Sequence, residues 1–259
     1  MRTRASAADY MTLGNGVCGF LALAVVAGLW LADSSPGPGL GHDQLVACLW
    51  LYGIGMVFDV LDGPVARWRG SSGLGPGLDT ICDTISFGLL PALLFVASMH
   101  GEAGWRGPVL VVAATYVALT MLRLARHAKF EADENAAAAA AGRPPVRAGF
   151  AGMPAPAGGN CVLAIVVLAP SAALAVAVVG VVSLLLVADV PYPDNSAVGG
   201  AFVAALLAAS FLALAGVISL DVPAAAALIG LLPIAIVRVL ARWTRSLRGV
   251  TPGAAGSRR

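Results

Sequence analysis

Asp59-Val60-Leu61-Asp62-Gly63-Pro64-Val65-Ala66-Arg67 is followed, after seven residues, by Gly75-Pro76-Gly77-Leu78-Asp79-Thr80-Ile81-Cys82-Asp83. One apolar run, from about residue 44, carries the first pair of acids near its end, and the next run opens on the second pair. An ionised carboxylate beside lipid costs roughly 2.5–3.5 kcal/mol on insertion scales, so four of them require a strong compensating partner. Asp59 and Asp62 are three apart, and Asp79 and Asp83 are four apart. On a helix each pair therefore shares one face. The segment from Trp68 to Leu74 holds small polar residues and glycine and can turn the chain back. Two antiparallel helices would then bring the four acids together at one membrane boundary. Hard oxygen donors in this arrangement suit Mg²⁺ or Mn²⁺. Four carboxylates suffice for two ions, which in two-metal sites clamp a phosphoryl group during displacement.

The rest of the chain agrees with a membrane setting. Of its 259 residues, 59% are hydrophobic and only 12% charged, against about 25% charge in an ordinary soluble domain. Apolar runs occur at about 11–32, 44–68, 76–99, 108–129, 152–169, 171–188, 198–219 and 222–243. A helical span takes about 20 such residues. The expected fold is therefore all-α, a polytopic helical membrane protein with about eight transmembrane helices. Residues 152–188 are too long for one straight span and short for two, and Pro170 and Ser171 supply a break. A single membrane domain is expected over residues 1–248, with its catalytic core at about 10–195 and a disordered tail at 249–259. The longest internal loop is expected at about 131–151, where an Ala run and Arg143-Pro-Pro read as flexible. An amphipathic surface helix near 131–141 is the alternative there.

Charge placement orients the chain. Every basic residue except Lys129 is an arginine. Arg-rich short loops stay on the cytoplasmic side, so Arg2 and Arg4 should share that side with the arginines from Arg242 onward. That requires an even number of spans, which eight satisfies. Arg67, Arg69, Arg123, Arg126, Lys129, Arg143 and Arg147 then fall on the same side, and only Arg106 lies opposite. Both termini and the acidic site are expected to be cytoplasmic, in the plasma membrane. The first run is not read as a signal peptide, because Ser6 to Asp9 separate it from the arginines and it is long for one. No basic cluster alternates with aromatics, so nucleic acid is not an expected partner. Cys18, Cys48, Cys82 and Cys161 lie in or beside apolar runs and read as small buried hydrophobes.

Several neighbours of the acids suit a phosphate substrate. Gly63 and Ala66 keep one helix face small. Arg67 offers a fork of donors to phosphate oxygens. Gly73, Gly75 and Gly77 permit close approach or unusual dihedrals.

The pattern Asp59, Asp62, Gly63, Ala66, Arg67, then Gly75, Asp79, Asp83, resembles that of the CDP-alcohol phosphatidyltransferases. The interval from Arg67 to Gly75 is one residue shorter than the family's usual one. The resemblance implies a dimeric helical membrane enzyme that joins the phosphatidyl group of CDP-diacylglycerol to an alcohol and releases CMP. By motif position Asp59, Asp62 and Asp79 would be metal ligands. Asp83 would be the general base and also touch metal. Gly63, Ala66, Arg67 and Gly75 would line the CDP site.

Flanking stretches resemble the phosphatidylserine synthase branch: Asp79 to Gly88 with Pro91-Ala92, Met11 to Gly19, Arg123-Leu-Ala-Arg126, and Gly152-Met-Pro154-Ala-Pro156. Val187 to Pro193 is a weaker match. L-serine is thus the implied acceptor, although His127-Ala128 stand where that branch has Phe-Asn. Arg123 and Arg126 are three apart on the fourth helix, and either can hold the serine carboxylate or anchor lipid headgroups. Asn15 can contact the nucleotide or make a helix-packing hydrogen bond. Two other readings stay open: the same transfer to inositol phosphate, glycerol phosphate or choline, and a membrane transporter whose path the acids line.

Overall fold

The computed structural model describes residues 5–28, 40–70, 72–142, 152–188, 197–228 and 230–231. The helices are α1 (Ala7–Val26), α2 (His42–Arg69), α3 (Gly75–Ser98), α4 (Arg106–Ala140), α5 (Ala155–Leu168), α6 (Ala172–Val187) and α7 (Ala197–Leu214). Residues 221–228 are also helical. No strand occurs among the described residues. The chain is a multi-pass helical membrane protein, and α1 to α4 are each long and apolar enough to cross a bilayer. The remainder of the expected last span, 232–243, lies outside the described residues, as do Arg2, Arg4, Arg143, Arg147, the 189–196 stretch and the tail.

Ser6 starts α1: its hydroxyl accepts from the Asp9 amide at 3.3 Å, and the Asp9 carboxylate accepts from the Ser6 amide at 2.6 Å. This reciprocal cap satisfies two otherwise orphaned donors. At α2, Pro64 sits inside the helix, which removes one backbone donor next to the first acid pair. In α3, residues Thr84–Leu89 form a π-helical turn directly after Asp83. The extra residue disturbs the carbonyl ladder, and Tyr116 of α4 donates to the Phe87 carbonyl at 2.7 Å. Between α5 and α6 the chain breaks at Ala169, whose φ is 41°, before Pro170 and Ser171.

The sequence suggested a loop from about 131, with a surface helix near 131–141 as the alternative; that stretch is helical, and α4 runs unbroken to Ala140. Alanine has the best helix propensity, and Lys129 pairs with Asp133 one turn on at 2.7 Å. Gly142, at φ 62°, follows its end, a conformation glycine adopts without strain.

In lipid there is little hydrophobic drive between helices, so association depends on close packing and on polar bonds. The first three helices follow that logic. α1 packs along α2 and against α3. A methyl on Gly16 would lie 2.6 Å from Cys82 Sγ, and one on Gly19 would lie 2.5 Å from Ser86 Oγ. Glycine at both positions lets α1 approach the α3 backbone. Around the π turn, Phe87, Leu90, Leu94, Phe95 and Tyr116 are fully buried. The ring of Tyr52 meets Phe87 edge-on at 5.7 Å between centroids. All four cysteines are free and buried.

Candidate active site

Asp59 near the end of α2 and Asp79 and Asp83 at the start of α3 each offer a carboxylate oxygen, all within 4.8 Å of one another. α1 packs against both α2 and α3, and the acids at their ends come together beside it. Asp59 and Asp79 are partly exposed, while Asp83 is only 6% exposed. Asp59 and Asp83 lie close together within that group. Three hard oxygen donors at such spacing fit a divalent cation by their chemistry, so the cluster can hold a metal.

The fourth acid is placed differently. Asp62 stands one turn beyond Asp59, and its Oδ2 accepts from Thr12 Oγ1 of α1 at 2.9 Å. It lies outside the three-carboxylate group, although its charge still acts on Asp59 and Asp79. The four acids therefore divide three to one, where the sequence suggested a single convergence. Asp62 is instead held by the donor that Thr12 of α1 offers it.

Asn15 is fully buried, and its Nδ2 donates to Asp83 Oδ1 at 3.1 Å. Its own backbone carbonyl accepts from Ser86 Oγ at 3.0 Å. A methyl on Gly55 of α2 would come within 3.1 Å of Asn15 Oδ1, so the glycine makes room for the amide. Asn15 is thereby directed at the acids.

The two arginines of α4 part company. Arg123 is only 5% exposed, and its charge acts on Asp83, Asp79 and Asp59. Arg126 is exposed and donates through Nη1 to the Val187 carbonyl at the end of α6, at 3.3 Å. The Gly152–Pro154 stretch reaches the same helix end. The Met153 amide donates to the Leu185 carbonyl at 3.0 Å. Gly152 has φ 83°, and a side chain there would run into the Leu186 carbonyl. Arg126 and Gly152 thus fasten the end of α6.

Arg67 is exposed, and its guanidinium lies 3.5 Å from where a methyl on Gly63 would stand. Ala66 and Gly75 are partly exposed. A methyl on Gly75 would face Asp9 Oδ1 at 3.8 Å. These residues follow the acids along α2 or precede them on α3, and Arg69 stacks over exposed Trp68 at 4.5 Å.

Sequence reasoning did not single out Thr12, Ser86 or Tyr116 as parts of this assembly. For Thr12 a signal existed: it lies three residues before Asn15, hence on the same helix face. For Tyr116 nothing local reports that its hydroxyl is needed by a carbonyl 29 residues earlier.

Residues 5–188 match the CDP-alcohol phosphatidyltransferase family model. Similar curated proteins include the CDP-diacylglycerol–serine O-phosphatidyltransferases of Methanocaldococcus jannaschii, Bacillus subtilis and Mycobacterium tuberculosis. The first is 27% identical over 186 residues, 71% of this chain and 72% of the relative. The second is 28% identical over 184 residues, 71% of this chain and 87% of the relative. The third is 36% identical over 118 residues, which cover 44% of this chain and only 37% of the mycobacterial protein.

Proposed function

We propose that this chain, which belongs to the CDP-alcohol phosphatidyltransferase family, transfers the phosphatidyl group of CDP-diacylglycerol to the hydroxyl of L-serine, giving phosphatidylserine and CMP. The observation that carries the reading is the meeting of Asp59, Asp79 and Asp83 oxygens from two helices within 4.8 Å. Buried Arg123 beside them and the names of the relatives support serine as acceptor.

Asp59, Asp79 and Asp83 would hold Mg²⁺ or Mn²⁺, with Asp62 completing a second ion's share. A bound divalent cation supplies charge neutralisation for the diphosphate and for departing CMP. Arg67, with Gly63, Ala66 and Gly75 leaving space, receives the CDP moiety. Arg123 balances the acids and offers its guanidinium to the serine carboxylate, while Arg126 braces α6. Asp83 accepts the serine hydroxyl proton as the serine oxygen attacks the β-phosphorus. The P–O bond to CMP breaks, and its electron pair leaves with CMP. A single displacement needs no covalent enzyme intermediate. The arrangement requires lipid access from the side and soluble serine at the membrane boundary. We place the acid end and both termini on the cytoplasmic face of the plasma membrane, from the arginine distribution, and take the working unit to be a homodimer.

The test is an acceptor panel. Purified protein in detergent receives CDP-diacylglycerol, Mn²⁺ and serine, inositol phosphate, glycerol phosphate or choline in turn. CMP release that depends on serine is expected. Release with another alcohol alone would overturn the acceptor and keep the family chemistry.

A further inference from the structure

Thr12 and Asn15 are three residues apart on α1, so they share a face about 4.5 Å apart along the axis. Each donates to a carboxylate of a different helix: Thr12 Oγ1 to Asp62 of α2 at 2.9 Å, Asn15 Nδ2 to Asp83 of α3 at 3.1 Å. The same stretch of α1 is held against both helices. Gly16 lies on Cys82, Gly19 lies on Ser86, and Gly55 of α2 lies under the Asn15 amide. Ser86, inside the π turn, bonds back to the Asn15 carbonyl at 3.0 Å. The Asn15 Oδ1, buried, has no hydrogen-bond partner among the described residues. Placing an amide there with one end unsatisfied is costly, and the cost is accepted where its other end holds Asp83.

We propose that Thr12 and Asn15 are positioning residues, and that α1 is a strut that sets the separation between the α2 and α3 acids. The inference rests on the reading of those acids as a cation site. An acid that must ligate needs a fixed orientation, and each of these hydrogen bonds fixes the orientation of one carboxylate. Partners of this kind, one step removed from a metal, typically contribute 10–100-fold in metal affinity or activity. Thr12 and Asn15 touch no substrate in this account, and they act through Asp62 and Asp83.

The experiment is Mn²⁺ titration of the purified full chain in detergent, with free Mn²⁺ read by electron paramagnetic resonance. Wild type is compared with Thr12→Val, Thr12→Ser, Asn15→Leu and Asp59→Ala, with thermal melting recorded for each. Saturable binding is expected in wild type and lost in Asp59→Ala. Thr12→Val and Asn15→Leu should each weaken it about 10–100-fold, and Thr12→Ser, which keeps the hydroxyl, should restore affinity to within about threefold. Thr12→Val keeps the side-chain shape, so the Asp62 arm remains readable if Asn15→Leu does not fold. Wild-type affinity in Thr12→Val and Asn15→Leu, with lower melting temperatures alone, would reduce both bonds to helix packing and overturn the strut. Absence of saturable binding in wild type would instead overturn the cation reading, and the strut with it.

Discussion

One helix, α2, passes through two regions made of opposite materials. At its end, Asp59 and Asp62 meet α3 and α1 through carboxylates and named hydrogen bonds. In its middle, Leu49, Tyr52, Gly53 and Met56 line a crevice shared with α5, α7 and residues 220–227. Tyr52, Met56 and Asp59 follow at helical spacing, so acid end and crevice share a face only one turn apart. The crevice is lined mostly by Leu, Ala and Val, with Asn160 and Ser210 as its polar members. The contrast separates two kinds of specification. Apolar walls in lipid are replaceable by other apolar walls, because little hydrophobic drive distinguishes them. Buried polar groups demand particular partners, since each unmet bond costs the full desolvation of the group. Substitutions of equal size should therefore have unequal effects in the two regions.

Removal of divalent cations should produce the largest effect. Chelation with EDTA is expected to bring CMP release to background, and added Mn²⁺ to restore it. Next is Asp83→Asn, which keeps the side-chain shape and the contact with Asn15 while removing the proton acceptor. Turnover should fall about 10²–10⁴-fold, with the melting temperature nearly unchanged. Wild-type turnover in this variant would end the assignment of Asp83 as base. The α4 arginines give a sharper internal comparison. Arg123→Ala should raise the serine KM about 10-fold or more, in keeping with loss of a charged hydrogen bond. Arg126→Ala should leave that KM within about twofold and lower the melting temperature, because its bond is to the end of α6. Gly55→Ala comes next: its methyl meets the Asn15 amide, and overpacking of this kind costs about 1–3 kcal/mol. The melting temperature should fall, and kcat should drop much less than in Asp83→Asn. Leu207→Ala, in the crevice wall, should have the smallest effect, with turnover within about twofold of wild type. A crevice substitution as damaging as Gly55→Ala would erase the distinction between the regions.

Much of this organisation was legible in the chain. The acids announced themselves because charge inside apolar runs is expensive, and helical spacing paired them. The meeting of acids from α2 and α3 followed from the short polar segment between them. Less legible was the division of three acids from one, since it depends on the hydroxyl that Thr12 brings to Asp62 from α1. The π turn at Thr84–Leu89 was equally hidden: its lost regularity is compensated by Tyr116 from α4, a tertiary partner with no local signature. The end of α4 was left between loop and helix because an alanine run reads as low complexity while alanine is also the strongest helix former. Arg123 and Arg126 looked equivalent by spacing. Only the packing of α4 against α6 turns one inward and gives the other to Val187.

The central claim is that the carboxylates joined by α2 and α3 form the centre of phosphatidyl transfer to serine. It is tested most directly by following radiolabelled serine into lipid with purified protein, CDP-diacylglycerol and Mn²⁺, beside the Asp79→Asn variant. The account predicts labelled phosphatidylserine and CMP in equal amounts from wild type, and neither from the variant. Label entering lipid at the wild-type rate in Asp79→Asn, or CMP released from wild type with no label in lipid, would contradict it.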